Sequence, residues 1–158
     1  LFSFANGGDQ RVVEGKYLIN LSRAPFTPRV GAKTALLASF VDIQKNKLIA
    51  EDLIVKVRIA KLGGGQNKRE FLFEKDNIAV KGGVLELSYT FADSGLHEIF
   101  FDFAFTQNPQ KVYEAPDFLM DIQKEVQSSK INYLYLILAG GIGFVAGFLL
   151  KRRSVSLK

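Results

Sequence analysis

From Lys16 to about Lys124 the chain alternates short apolar runs with turn residues, and no long helical periodicity interrupts the pattern. "KYLINLSR" (16–23) reads as a strand. "APFTPRVG" (24–31) follows, and its prolines at 25 and 28 forbid ladder hydrogen bonds and favour an extended connector. "TALLASFVD" (34–42) is a second strand, closed by the polar turn "IQKNK". In "LIVKVRIAK" (53–61), Val55, Val57 and Ile59 alternate with Lys56 and Arg58, as in a half-buried strand. "LGGGQNKR" reads as a hairpin loop, since it lacks the Gly-Lys-Ser/Thr ending of a phosphate loop. "EFLFEKDNIAVKGG" (70–83) holds one or two short strands. "VLELSYTF" (84–91) and "LHEIFFDFAF" (96–105) are expected to pair across the tight turn Ala92-Asp93-Ser94-Gly95. The second places Ile99, Phe101, Phe103 and Phe105 on one face and Phe100 and Ala104 on the other, as in a central strand. "DFLMDIQKEV" (117–126) is either a last strand or the start of the run into the C-terminal apolar stretch.

Some seven short strands at roughly 10-residue spacing predict an all-β fold, an immunoglobulin-like antiparallel β-sandwich over residues 16–124. Residues 1–15 form an N-terminal segment. "LFSFANGGDQ" fits either a short strand or the end of a signal-peptide apolar region with its cleavage site.

The pattern changes at the C-terminus. Residues 125–130 are a polar connector, and 131–150, "INYLYLILAGGIGFVAGFLL", contain no charge. Twenty helical residues span about 30 Å, the thickness of a bilayer's hydrocarbon core. This predicts a single transmembrane helix. Tyr133 and Tyr135 would anchor one interface, and Lys151, Arg152 and Arg153 the other, in a basic cytoplasmic tail (151–158). The sandwich is then expected outside the cytoplasm of a cell membrane. Ala139, Gly143 and Gly147 recur every four residues and would let a second helix approach closely, forming a helix–helix interface. Gly141-x-Gly143-x-x-Ala146 also matches a loose dinucleotide fingerprint. That fingerprint needs a following strand and an acidic residue about 20 positions on, and neither appears before Lys158, so no nucleotide is expected.

Charge narrows the partners further. The net charge is +5, yet residues 1–130 hold 17 Lys/Arg against 16 Asp/Glu, a net of +1. The basicity belongs to the tail, and no basic stripe interleaved with aromatics suggests nucleic acid. With no cysteine, disulfides, thiolate metal sites and a Cys nucleophile are excluded. His97 is the only histidine and Met120 the only methionine. No Gly-x-Ser-x-Gly elbow accompanies the histidine, so neither catalysis nor a cofactor is expected. Asn20-Leu21-Ser22 matches a glycosylation acceptor but falls inside a strand.

Asp93-Ser94-Gly95-Leu96-His97-Glu98-Ile99 resembles the Asp-x-Gly-x-Tyr corner of the immunoglobulin-like superfold. His97 stands where the corner tyrosine would be and Ile99 where an immunoglobulin domain has its second cysteine. The resemblance implies a structural role for Asp93, Gly95 and His97. "INLSRAPFTPRVGAKTALLASFVD" is in turn similar to the opening of YtkA-like and FixH-like extracytoplasmic domains. That second resemblance implies association with membrane-bound respiratory or copper-handling systems. Copper handling draws on several His, Met or Cys ligands, of which this chain offers His97 and Met120. The function expected is a non-catalytic accessory subunit of a larger membrane complex, meeting its partners through the helix, the sandwich and the bilayer. A copper-delivery domain and a surface adhesion module are the alternatives. For adhesion the candidate contact is Phe26, between two prolines.

Overall fold

The computed structural model describes residues 8–63 and 68–125. Among them ten strands form two antiparallel sheets. The first sheet contains β1 (Asp9–Val13), β2 (Tyr17–Ala24), β3 (Lys33–Asp42), β4 (Lys47–Leu48) and β7 (Val84–Thr90). Its order is β1-β2-β3, with β4 and β7 both pairing with β3. The second contains β5 (Leu53–Leu62), β6 (Arg69–Val80), β8 (Gly95–Phe105), β9 (Asn108–Glu114) and β10 (Phe118–Ile122). Here the order is β10-β8-β5-β6, and β9 also pairs with β8.

Consecutive strands repeatedly change sheet, from β4 to β5, from β6 to β7 and from β7 to β8. These crossings make the domain an immunoglobulin-like sandwich rather than a meander. They also correct one expectation. The strands 84–90 and 95–105 do not pair with each other: β7 completes the free edge of β3, while β8 lies between β5 and the β9/β10 edge of the other sheet. Their faces differ accordingly. β7 buries only Leu85 fully and leaves Glu86, Ser88 and Thr90 exposed, whereas β8 is buried over most of both faces.

Alternation drives the layering. Ile19, Leu21, Leu36, Ala38 and Phe40 point inward from the first sheet, facing Val55, Val57, Ile59, Ile99, Phe101 and Phe103 from the second. Phe40 bridges the layers, edge-on to Phe103 at 5.3 Å and to Phe101 at 6.5 Å. Tyr17 does the same at one end, 5.5 Å from Phe103 and 5.0 Å from Tyr113. Phe40, Phe91, Phe101, Phe103 and Phe118 are fully buried and the chain has no tryptophan, so the aromatic core is built of medium-sized rings. Each buried ring contributes roughly 1.5–3 kcal/mol through removal from water.

Of the two alternatives for the N-terminal segment, residues 9–13 form a short strand, β1, which pairs with β2 in the register Asp9↔Leu21 to Val13↔Tyr17. Two further strands have no counterpart in the sequence pattern: β4 has two residues, and β9 buries only Tyr113 of its seven. Residues 70–83 contain a single strand, β6, which bulges twice against β5. β10 settles residues 118–122 as a strand.

Candidate functional site

The crossing from β7 to β8 is built around His97. Phe91 is fully buried, and its carbonyl accepts a hydrogen bond from the Gly31 N–H at 2.9 Å. The chain then turns through Ala92, Asp93 and Ser94 to Gly95, whose φ of +105° favours a residue without Cβ. Asp93 meets Lys61 at 3.3 Å, tying the turn to the end of β5. Two residues beyond Gly95, His97 is fully buried. Its Nδ1 lies 3.0 Å from the Gly95 carbonyl oxygen. A carbonyl only accepts, so Nδ1 carries the proton and donates it. The ring stands edge-on to Phe91 at 5.1 Å. Its other nitrogen, Nε2, is buried with no partner among the described residues.

Burial is the chief influence on the imidazole and pushes its pKa down, assisted by the charge of Lys61 and opposed by the Gly95 hydrogen bond. The ring is therefore neutral at pH 7. Across the sheet His97 is flanked by Met120 on β10 and Lys61 on β5. The register thus brings the sole histidine and sole methionine onto neighbouring strands, a relationship invisible from their 23-residue separation. Two donors fall short of the several that copper handling uses. Both are sealed in the core, with Met120 only 1% exposed. Among the described residues no group of three or more His, Cys, Asp or Glu is placed to hold a metal.

Beside the corner lies the β2–β3 connector. Its Gly31 hydrogen bond to Phe91 places both at one end of the sandwich. β10 ends there too: the Val30 N–H donates to the Gln123 carbonyl and the Gln123 N–H to that of Pro28, each at 3.0 Å. Phe26 projects from this connector at 66% exposure, more than any other large hydrophobic side chain among the described residues. Arg23 holds it. The guanidinium lies 5.1 Å from the Phe26 ring centre, and Arg23 Nε donates to the Phe26 carbonyl at 2.9 Å. Arg23 is itself paired with Asp9 at 3.2 Å.

A third region is the outward face of the second sheet. Arg58 on β5 meets Asp102 on β8 at 2.7 Å, and Arg69 on β6 meets Glu98 on β8 through two hydrogen bonds. Both carboxylates are nearly buried. Arg58 also lies 5.2 Å from Phe100 and 5.9 Å from Phe71. Lys56 pairs with Glu74 and with Asp76. Burial raises the Asp102 carboxyl pKa, opposed by Arg58 beside it. A shallow groove of about 290 Å³ runs past Lys56, Asp76, Asp102, Pro109 and Val112. Arg58–Asp102 and Arg69–Glu98 are 44 and 29 residues apart in sequence, and only the strand register pairs them. Asp102 therefore belongs to an ion pair on a central strand.

The remaining sequence candidates, Tyr133, Tyr135, Ala139, Gly143, Gly147 and Lys151–Arg153, lie outside the described residues. Among the described residues no helix is long and apolar enough to cross a membrane.

No protein-family model matches the chain, and no curated protein matches it. Two solved structures are similar at low identity. One is the soluble domain of PmoD from a Methylocystis species, 14% identical over 72% of this chain and 96% of that one, with a TM-score of 0.48. The other is the PKD domain of an M14-like peptidase from a Thermoplasmatales archaeon, 13% identical over 75% of this chain and all of that one, with a TM-score of 0.45. Likenesses of that degree carry no argument about function. The strand pairing of this chain is that of an all-β, immunoglobulin-like sandwich.

Proposed function

We propose that the protein is a single-pass, membrane-anchored, non-catalytic accessory subunit of a larger membrane protein complex, with its sandwich outside the cytoplasm. One observation carries the proposal: a sandwich ending at β10 is followed, after a short polar connector, by twenty uncharged residues and Lys151-Arg152-Arg153. The corner geometry supports it, because the sole histidine is engaged in holding the turn from β7 to β8. Partner contacts fall to the Ala139/Gly143/Gly147 stripe, to the sandwich surface and to lipid. The resemblance to YtkA-like and FixH-like domains makes respiratory and copper-handling complexes the first parents to test.

Membrane fractionation with protease shaving tests the topology. The chain should resist carbonate extraction, dissolve in detergent, and lose its sandwich to protease added from outside sealed cells. Recovery in the carbonate-soluble fraction, or protection of the sandwich until cells are opened, would overturn the proposal. Tight stoichiometric copper binding by the purified chain would favour metal delivery instead.

A further inference from the structure

The end of the sandwich from which the chain departs is also the end that displays Phe26. β10 finishes at Ile122, and Gln123 is bonded on both sides to the β2–β3 connector, through Pro28 and Val30. Only residues 126–130 separate Glu125 from the uncharged stretch that begins at Ile131. Five extended residues reach at most about 18 Å. The headgroup layer itself occupies roughly 5–7 Å on each side of the hydrocarbon core. If 131–150 spans the bilayer, the connector bearing Phe26 is tethered within a short reach of lipid.

Its chemistry suits that surface. Phe26 is a large apolar side chain set on a backbone restricted by Pro25 and Pro28 and held by Arg23. Arg29 and Lys33, on either side of Gly31, are exposed and form no ion pair with a described residue. Of the acidic groups nearby, Asp93 is paired with Lys61 and Asp121 accepts a hydrogen bond from the Gln123 side chain. An apolar tip flanked by free cations is the combination that partitions into an anionic headgroup layer.

We infer that the β2–β3 connector is a second membrane contact, with Phe26 entering the lipid interface and Arg29 and Lys33 meeting anionic headgroups. The inference rests on the anchored reading above. It assigns Phe26 to lipid rather than to a protein partner.

The chain has no tryptophan, so a single introduced indole is an unambiguous probe. The full-length Phe26→Trp chain and, separately, a Phe144→Trp chain would be reconstituted in phosphatidylcholine/phosphatidylglycerol vesicles containing brominated lipids. Both indoles should lose emission to the bromines, Phe26→Trp most with bromines near the headgroup and Phe144→Trp with bromines deeper in the acyl chains. Replacing phosphatidylglycerol by phosphatidylcholine, or adding Arg29→Gln and Lys33→Gln, should weaken quenching only at position 26. Quenching at 144 with an unquenched, red-emitting probe at 26 would overturn this inference and leave the anchor intact. An unquenched but blue-shifted probe at 26 would mean burial against protein and would also overturn it. Loss of quenching at both positions would sink the anchored reading together with the inference. Equal quenching at 26 in both lipid mixtures would remove the role given to Arg29 and Lys33.

Discussion

His97 Nδ1 donates to the carbonyl oxygen of Gly95, two residues earlier, across 3.0 Å at the point where the chain passes between sheets. In immunoglobulin-like domains a tyrosine at this place in the corner bonds to upstream backbone. Here the bond is shorter-ranged in sequence, and the ring fills core space against Phe91. Truncation removes both. His97→Ala is expected to lower unfolding free energy by on the order of 2–3 kcal/mol, read from chemical denaturation of the purified chain. A loss below about 0.5 kcal/mol, the range of an ordinary surface substitution, would contradict the corner role.

The same burial sets a pH dependence. With its folded pKa below the ordinary value near 6.5, His97 binds a proton more readily in the unfolded state. Its contribution is therefore constant above that value and declines as pH falls from about 6.5 toward the lower folded pKa. Asp102 has the opposite sign. Its raised pKa means the folded state holds the proton longer, so its contribution declines as pH rises from about 3.9 through the folded value. His97→Gln, which keeps a donor but does not titrate, should remove the loss between pH 6.5 and 5 and leave the Asp102 behaviour unchanged. Parallel stability profiles for the two proteins over that range would refute this.

Gly82 and Gly83, adjacent in the turn from β6 to β7, should respond differently to alanine. Both have positive φ, near +65° and +70°. A Cβ on Gly82 meets nothing within 4 Å, whereas one on Gly83 would lie 2.8 Å from the Ile49 carbonyl oxygen and 2.9 Å from that of Phe40. Gly82→Ala is expected to cost about 1 kcal/mol in backbone strain. Gly83→Ala adds a clash with backbone that cannot swing aside, for about 3 kcal/mol or more. Thermal melts of the two variants check the order, and equal melting temperatures would refute the close packing of this turn on β3.

For the C-terminal stretch, Gly143→Leu with Gly147→Leu should weaken assembly in the membrane while leaving the sandwich folded, because leucine blocks close approach of a second backbone. Native electrophoresis of detergent extracts would show the large species lost and the sandwich still resistant to limited proteolysis. An undisturbed large species would mean that these glycines are only composition.

Strands with a strong alternating pattern were legible from the residues. β5 shows its faces directly in Val55/Lys56/Val57/Arg58, and β8 announces a central strand through Ile99, Phe101 and Phe103 backed by Phe100 and Ala104. β9 was not legible, since Tyr113 is its one buried residue and the other six look like a polar loop. The partner of β7 was also hidden. Proximity in sequence favours a hairpin with β8, while the actual choice depends on which sheet edge remains open, and that is a property of the whole fold. The turn ahead of His97 is marked in the sequence by Asp93-Ser94-Gly95. Its cross-strand neighbour Met120 and the Arg58–Asp102 pair could not, because register, not spacing, creates them.

Native purification tests the central claim most directly. The tagged full-length chain would be extracted from its own membranes in mild detergent, sized, and its co-migrating polypeptides counted by mass spectrometry. The account predicts an assembly far above the 17.6 kDa of one chain, containing at least one other integral membrane polypeptide in fixed stoichiometry and lost in the Gly143→Leu/Gly147→Leu variant. A chain that leaves the membrane without detergent, or that runs as a solitary monomer with no fixed companion, would contradict it.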